Sequence, residues 1–546
     1  MNRRRLALAV TAFLGMSAVT ACSADTSEGS GGTGGGGGGQ LTVAAVQAWA
    51  GFNPYVPDQG TSIGINIANA IYPSTFHVQS DQTVELNTDL LESAEIVSED
   101  PEIIEYTLQP GAQWSDGTPI TADDFIYLWE HLNGSKKDLQ VTSAIGYSQI
   151  KSVAADGDPS KVKVEFESQF ADWKSLFSPL LPAHHMESLG EDAAAWNTGL
   201  VEDSPVSGGP YAIADNQTGE YLQLEANPEW YGEVPSIDEV TLRFFGDDQA
   251  VLQALASGEV DFSLDLKATR AMISQSAGLD DLVSQVVPTT NQQFLNTQFE
   301  STTVGDLAVR QAIATVLVPE QIADKAFGGE VGELLTTNHI FAPSSPWYAD
   351  NRPDGYASGD VDAAKQILDD AGYALGSDGV YAKGDTRLEL NYIVRAEDDL
   401  ARQVGVIAQD ELKKIGIAVK LNTVTSADWF PTLGQAGYDI GLGNYPASAF
   451  PVSWYGGLYP CKAGYNFARY CNEDFDALYY QAYGELDEDK RGELVNQADA
   501  ILWDDLANIP LFEVPQLVVH APDLEGVDAY LPKEYQLLAA STWSIG

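Results

Sequence analysis

Between Asp360 and Leu442 the chain switches repeatedly between helical and extended patterning, and few folds accommodate that alternation. Asp360 can cap a helix in which Ala364, Ile367, Leu368 and Ala371 share a face and which Gly372 ends. Leu388, Leu390 and Tyr392 alternate as a strand. Leu400, Val404, Ile407, Leu412 and Ile415 then repeat at helical spacing up to Gly416, and Ile417 to Val424 reads as a second strand. A short helical piece around Trp429 precedes a third strand, Tyr438 to Leu442. Strands separated by helices predict an α/β fold, a parallel sheet covered by helices.

Open sheets of this kind place ligands beyond the carboxyl ends of their strands. The segment after the third strand interleaves aromatic and small polar residues, which suits a concave, mostly apolar site. Asn444, Tyr445, Ser448, Phe450 and Trp454 are therefore candidate ligand contacts. A first strand from Leu41 runs into a loop with Trp49, Phe52, Asn53, Pro54 and Tyr55. Those aromatics fit a ligand cleft or a core plug equally well, and Phe52, Asn53 and Tyr55 join the candidate set. Gly60-Thr61-Ser62-Ile63-Gly64 matches the pattern of a hydrolase nucleophile elbow, which needs a strand directly before it. Pro54, Pro57 and Gly60 stand there instead, so the match reads as chance. No triad, metal cluster or carboxylate pair is legible, and no reaction is expected.

The amino terminus says where the body works. Arg3, Arg4 and Arg5 precede an apolar run from Leu6 to Ala21, too short for the roughly 20 residues of a membrane span, so residues 1–21 read as an export signal. Val19-Thr20-Ala21-Cys22 resembles the lipobox of bacterial lipoproteins, in which the Cys is acylated and becomes the first mature residue. Residues 22–39 are rich in Ser, Thr and Gly and form a flexible tether, spanning about 20–25 Å by the square-root law. The expectation is a globular body anchored to the outer face of the cytoplasmic membrane through lipidated Cys22.

A hydrophobic content of 44% argues against disorder in that body. The formal net charge of −51 excludes nucleic acid and bare anionic lipid as partners, since both would be repelled. The acidity reads as surface solubility; no acidic run has the spacing of a calcium loop. Cys461 and Cys471 are the remaining cysteines, and in an exported protein a local disulfide is the natural reading. A zinc site would need further ligands, and none of the six His lies near the pair. No cofactor is expected.

Gln109-Pro-Gly-Ala-Gln-Trp114-Ser-Asp-Gly-Thr-Pro119-Ile-Thr121-Ala-Asp-Asp124 combines a turn with a helix start capped by Thr121 and Asp124. It closely resembles a hallmark of the extracellular solute-binding proteins of family 5, the oligopeptide, dipeptide and nickel binders of ABC importers. Ser207-Gly-Gly-Pro-Tyr211, Asn227-Pro-Glu-Trp-Tyr-Gly232 and Ala254 to Asp261 resemble further family segments. So do Asp306-Leu-Ala-Val-Arg310-Gln-Ala312, Ala364 to Tyr373 and Tyr470 to Asp476, all in family order.

The resemblance implies a two-lobed periplasmic-binding-protein-like fold (class II, cluster C) with an extra family-specific domain. The first lobe would comprise residues 40–78, 203–290 and 511–546, the extra domain 79–202, and the second lobe 291–510. It implies capture of short peptides outside the cell and delivery to the transmembrane subunits of an ABC permease, by a monomer. Asn338 is counted with the candidate ligand contacts. Many peptide-binding relatives carry an Asp in the loop after the third strand that pairs with the ligand's ammonium; Ser448 stands there in this chain, so binding of short peptides without a requirement for a charged amino terminus is expected. Whether another carboxylate takes over that pairing stays open. Alternatives are a metal chelate, haem or other small solute on the same fold, or a secreted hydrolase.

Overall fold

Eleven strands form one sheet: β1 (Gly39–Ala45), β2 (Tyr211–Gln217), β3 (Tyr221–Ala226), β4 (Ile237–Phe244), β5 (Phe262–Ser263), β6 (Leu266–Lys267), β7 (Val283–Thr297), β8 (Glu389–Arg395), β9 (Ala418–Val424), β10 (Ile440–Pro446) and β11 (Asn508–His520). The computed structural model describes residues 38–546 apart from 191, 203, 330 and 331. The export signal, Cys22 and nearly all of the tether lie outside the described residues. Across the sheet the order is β9-β8-β10-β7-β11-β5-β1-β4-β3-β2, with β6 also on β11.

The long antiparallel strands β7 and β11 join the two halves of this sheet. They pair from Val283 opposite His520 to Pro288 opposite Pro515, and again from Gln292 opposite Glu513 to Asn296 opposite Asn508. Where the ladder breaks, two prolines face each other, and neither has an N–H to donate. The break divides the sheet into two lobes and supplies a place for them to turn about.

The three strands that the alternation predicts run parallel to one another as expected, while the sheet as a whole is mixed. β8 pairs in parallel with β9 and β10, and β1 with β4 and β5, but β4-β3-β2 is an antiparallel meander and both crossing strands are antiparallel. The crossing strands come from the other lobe, so local periodicity carries no record of their direction.

Helices pack around this sheet, among them α1 (Ser62–Ile71), α2 (Ala122–Leu132), α3 (Leu307–Val316), α4 (Pro319–Phe327), α5 (Val361–Asp370), α6 (Asp399–Lys414), α7 (Ser426–Gly434), α8 (Pro451–Tyr455), α9 (Glu473–Gly484) and α10 (Glu488–Asp505). Thr121 and Asp124 make the expected capping box on α2, and the Asp360 carboxylate accepts from the amides of Asp362 and Ala363 at the start of α5. Leu295, Leu390, Tyr392, Ile440 and Leu442 from the second-lobe strands share one buried cluster with residues of α3, α4 and α6. In the first lobe the core runs without interruption into a four-stranded antiparallel sheet built from Leu91–Glu99, Glu102–Leu108, Lys161–Phe166 and Ile150–Ala155. Trp114 is fully buried there and lies against Gly208, where an added Cβ would come within 2.7 Å of the indole. Ser115 N donates to Ser207 O at 2.6 Å and Ser207 N to Ser115 Oγ at 3.0 Å, so these two distant segments form one joint.

A second tie joins the segment after the four-stranded sheet to α8 and α10. Asp172, in the segment after the four-stranded sheet, accepts on Oδ2 from Ser453 N and Ser453 Oγ, both at 2.7 Å. It thereby caps α8, whose own N-cap residue, Phe450, has no oxygen in its side chain. Ala171 N donates to Tyr483 O, Arg491 Nη1 to Ala171 O, and Lys174 pairs with Glu488 at 2.7 Å. Burial raises the Asp172 carboxyl, an effect that Arg491 and the Ser453 donors oppose. Cys461 and Cys471 are disulfide-bonded in the segment between α8 and α9.

Two outcomes are expected. Asp172→Ala should leave protection of the β7 and β11 amides intact in hydrogen exchange while the Val452 and Ser453 amides lose theirs; unchanged protection at α8 would show that the cap does not hold it. The double variant Cys461→Ser/Cys471→Ser should lose about 2–3 kcal/mol of stability by the loop-entropy estimate, read from denaturant midpoints at constant slope.

Candidate functional site

The end of β10 brings the third-strand segment against the crossing strands. Asn444 and Tyr445 belong to β10 itself, not to a loop after it, because β10 continues to Pro446 along β7. Asn, Tyr and Pro look loop-like locally, and the β7 ladder overrides that preference. In register, Tyr445 faces Gln292 and Gln292 faces Glu513, so three side chains stand abreast on one face of the sheet, in the last row before the β7–β11 break. Gln292 Nε2 donates to Thr336 Oγ1 at 3.2 Å and Phe341 O at 3.1 Å, and the Tyr455 hydroxyl of α8 reaches its Oε1 at 3.5 Å. Tyr445 Oη accepts from Asn296 Nδ2 at 2.9 Å, and its ring lies 5.5 Å from that of Phe294. Aromatic faces, carboxamides and one acid thus meet beside the hinge.

Around this row the candidates divide. Asn444 is exposed, Trp454 is 46% exposed, and Phe450 and Ser448 are half-buried. Ser448 Oγ accepts from Phe450 N at 3.0 Å, which leaves its proton to donate elsewhere. Asn338 is wholly committed to its own turn: Oδ1 accepts from the amides of Ile340 and Phe341, and Nδ2 donates to Ala349 O and Asn496 Oδ1. It holds the loop that carries His339 and Phe341 against Gln292. His339 and Asp499 form a fully buried pair at 2.7 Å behind that loop.

Phe52, Asn53 and Tyr55 cluster elsewhere. Phe52 is buried beside Trp49, Asn53 Nδ2 donates to Trp196 O at 3.0 Å, and the Tyr55 hydroxyl donates to Pro179 O. Among the described residues none of the three hydrogen-bonds to the 444–454 segment. Ser62 opens α1 with no strand before it, and its hydroxyl donates to Asp265 Oδ2 at 3.1 Å.

Sequence reasoning missed Gln292, Glu513 and Asp172. The signal for Glu513 was a charged residue inside the apolar run Ile509-Pro-Leu-Phe-Glu513-Val-Pro515. Glu513 is 3% exposed, and burial drives its carboxyl well above the usual carboxylate range.

A cavity of about 530 Å³ lies in the first lobe, bordered by His77, Asp89, Trp230, Glu233, Tyr535 and Trp543. Burial and the nearby Glu233 carboxylate raise the Asp89 carboxyl. None of the sequence-predicted residues lines it, and its lining residues come from the first lobe and the segment joined to it. A ligand there would not bridge the hinge, so the row beside β7 and β11 is the stronger candidate for a site that closure could sense.

Comparison with known proteins shows the family to which the chain belongs. Residues 85–466 match the bacterial extracellular solute-binding proteins, family 5. The oligopeptide-binding protein OppA of Mycobacterium tuberculosis is 27% identical over 456 residues, covering 82% of this chain and 75% of that protein. The oligopeptide-binding protein AppA of Bacillus subtilis is 25% identical over 520 residues, 88% of each chain. Among solved structures, a periplasmic EDTA-binding protein, EppA, superimposes with a TM-score of 0.84 at 27% identity, covering 93% of this chain and 96% of that one. AppA of Bacillus subtilis in complex with a nonapeptide gives 0.72 at 21% identity, covering 93% and 99%. With the family pattern spanning most of the chain and the two lobes arranged about crossing strands, this protein belongs to the bacterial extracellular solute-binding proteins of family 5.

Proposed function

We propose that this protein is the substrate-binding lipoprotein of an ABC importer, capturing short peptides outside the cell and delivering them to the permease. The observation that carries this reading is the row of Tyr445, Gln292 and Glu513 beside the break between the lobes, in a chain whose relatives are named for oligopeptide binding. A peptide offers main-chain amides to the Gln and Ser groups and side chains to the aromatic faces of Tyr445, Phe450 and Trp454. Its capture between lobes favours the closed arrangement by as much as the ligand binds that arrangement better. Cys22 anchors the monomer to the outer face of the cytoplasmic membrane, and the lobes are residues 40–78, 203–290 and 511–546 against 291–510, with 79–202 as the extra domain. Sheet membership supports that partition, with the second crossing drawn toward Pro515 by the broken ladder.

A metal chelate is the second reading, favoured by the similarity to the EDTA-binding protein. Among the described residues no three His, Cys, Asp or Glu side chains converge as a metal site.

Mass spectrometry of solute released from freshly purified protein should find peptides of a few residues; a chelate in their place would favour the second reading. Tyr445→Ala should weaken binding of such a peptide by at least about tenfold, equivalent to 1.4 kcal/mol, in calorimetry. Cys22→Ala should release the protein into the medium while the native form partitions into detergent. Equal partitioning of both would sink the anchor.

A further inference from the structure

The ligand's charge is the question that Ser448 raises, since a hydroxyl cannot neutralise an ammonium. Glu513 stands on β11 opposite Gln292, which in turn faces Tyr445 at the end of the strand leading to Ser448. Its Oε1 is inaccessible and meets no donor, and among the described residues no ion pair involves it. Apart from His339, the other titratable groups gathered here are acids or phenols: Tyr455 of α8 interacts electrostatically with Asp499 of α10, Tyr445 of β10 and Glu513 together. Asp499 is already paired with His339. Glu513 is therefore the one of these acids left without a partner. A Gln at this position would fill the same space with no charge to desolvate, so an acid here is costly unless a cation arrives to pair with it. Tyr445 and Tyr455 add aromatic rings to the same place, and aromatic faces attract ammonium groups.

We propose that Glu513 receives the ammonium of the ligand at the hinge end of the cleft, supplying from the crossing strand the charge that the loop at Ser448 lacks. This assignment rests on the peptide reading and sharpens it: the preferred ligand carries a free amine at the end that lies against β11. The site selects positive ligands in the closed state, because Glu513 belongs to the row where the two lobes meet.

The test uses full-length protein purified in detergent and exposed to an equimolar mixture of a pentapeptide library in free and amino-acetylated forms. Retained peptides are counted by mass spectrometry. Wild type should retain free over acetylated peptides by about a hundredfold, and Glu513→Gln should reduce that preference below tenfold. Circular dichroism of Glu513→Gln should match wild type, with a melting temperature no lower, because the variant removes an unpaired buried acid. An absent preference in wild type, or one unchanged in Glu513→Gln, overturns the proposal. Retention of neither form would instead defeat the peptide reading. A melting-temperature comparison of hexylamine, lysinamide and hexanol then decides for Glu513: stabilisation by the amines alone, lost in Glu513→Gln, supports it, and no amine-specific stabilisation overturns it.

Discussion

The antiparallel ladder between β7 and β11 is the interaction on which the rest of the molecule depends. It is the covalent and hydrogen-bonded route between two separately packed cores, and it is interrupted where Pro288 meets Pro515. A ladder without that interruption would hold the lobes rigidly, and its absence would leave them on a bare tether. Facing prolines give an intermediate: each arm stays registered with its own lobe while the missing donors concentrate bending in a few residues. The tie from Asp172 to α8 is of a different kind, two hydrogen bonds from one residue to a single carboxylate oxygen in place of a strand ladder.

The residues that carry the family resemblance are mostly spent on holding the lobes in shape. Trp114 and Gly208 come from segments nearly a hundred positions apart and meet as indole on bare backbone, which is why one needs a ring and the other tolerates no side chain. Arg310 donates to the carbonyls of Val304, Gly305 and Asp505, with its guanidinium 4.3 Å from the centre of the Phe299 ring, closing the turn before α3 onto the end of α10. Asn472 caps α9 and also donates to Asp505. These positions build the scaffold on which any ligand site is carried.

Charge is distributed unevenly between surface and interior. The formal charge of −51 counts acids that are mostly exposed. The buried acids have separate fates: Asp124 is met by the amides of Thr121 and Ala183, Glu102 by that of Phe170, Asp172 by Ser453 and Asp499 by His339, while Glu513 Oε1 meets no donor. In low dielectric that difference matters far more than the surface total.

The sequence by itself determined the elements whose causes are local. The capped helices at Thr121 and Asp360, the strands Leu41 onward and Ile417 to Val424, and the pairing of Cys461 with Cys471 follow from spacing and from neighbouring residues. It also brought Tyr445 into view, through the rule that ligands gather beyond strand ends. Only the tertiary structure decided that Asn444 and Tyr445 extend β10, that the sheet is mixed, and that Asn338 serves its own turn while Gln292 and Glu513 join Tyr445 in one row. That row unites positions from three distant parts of the chain, and cross-strand register over such separations is set by global packing, which no local period encodes.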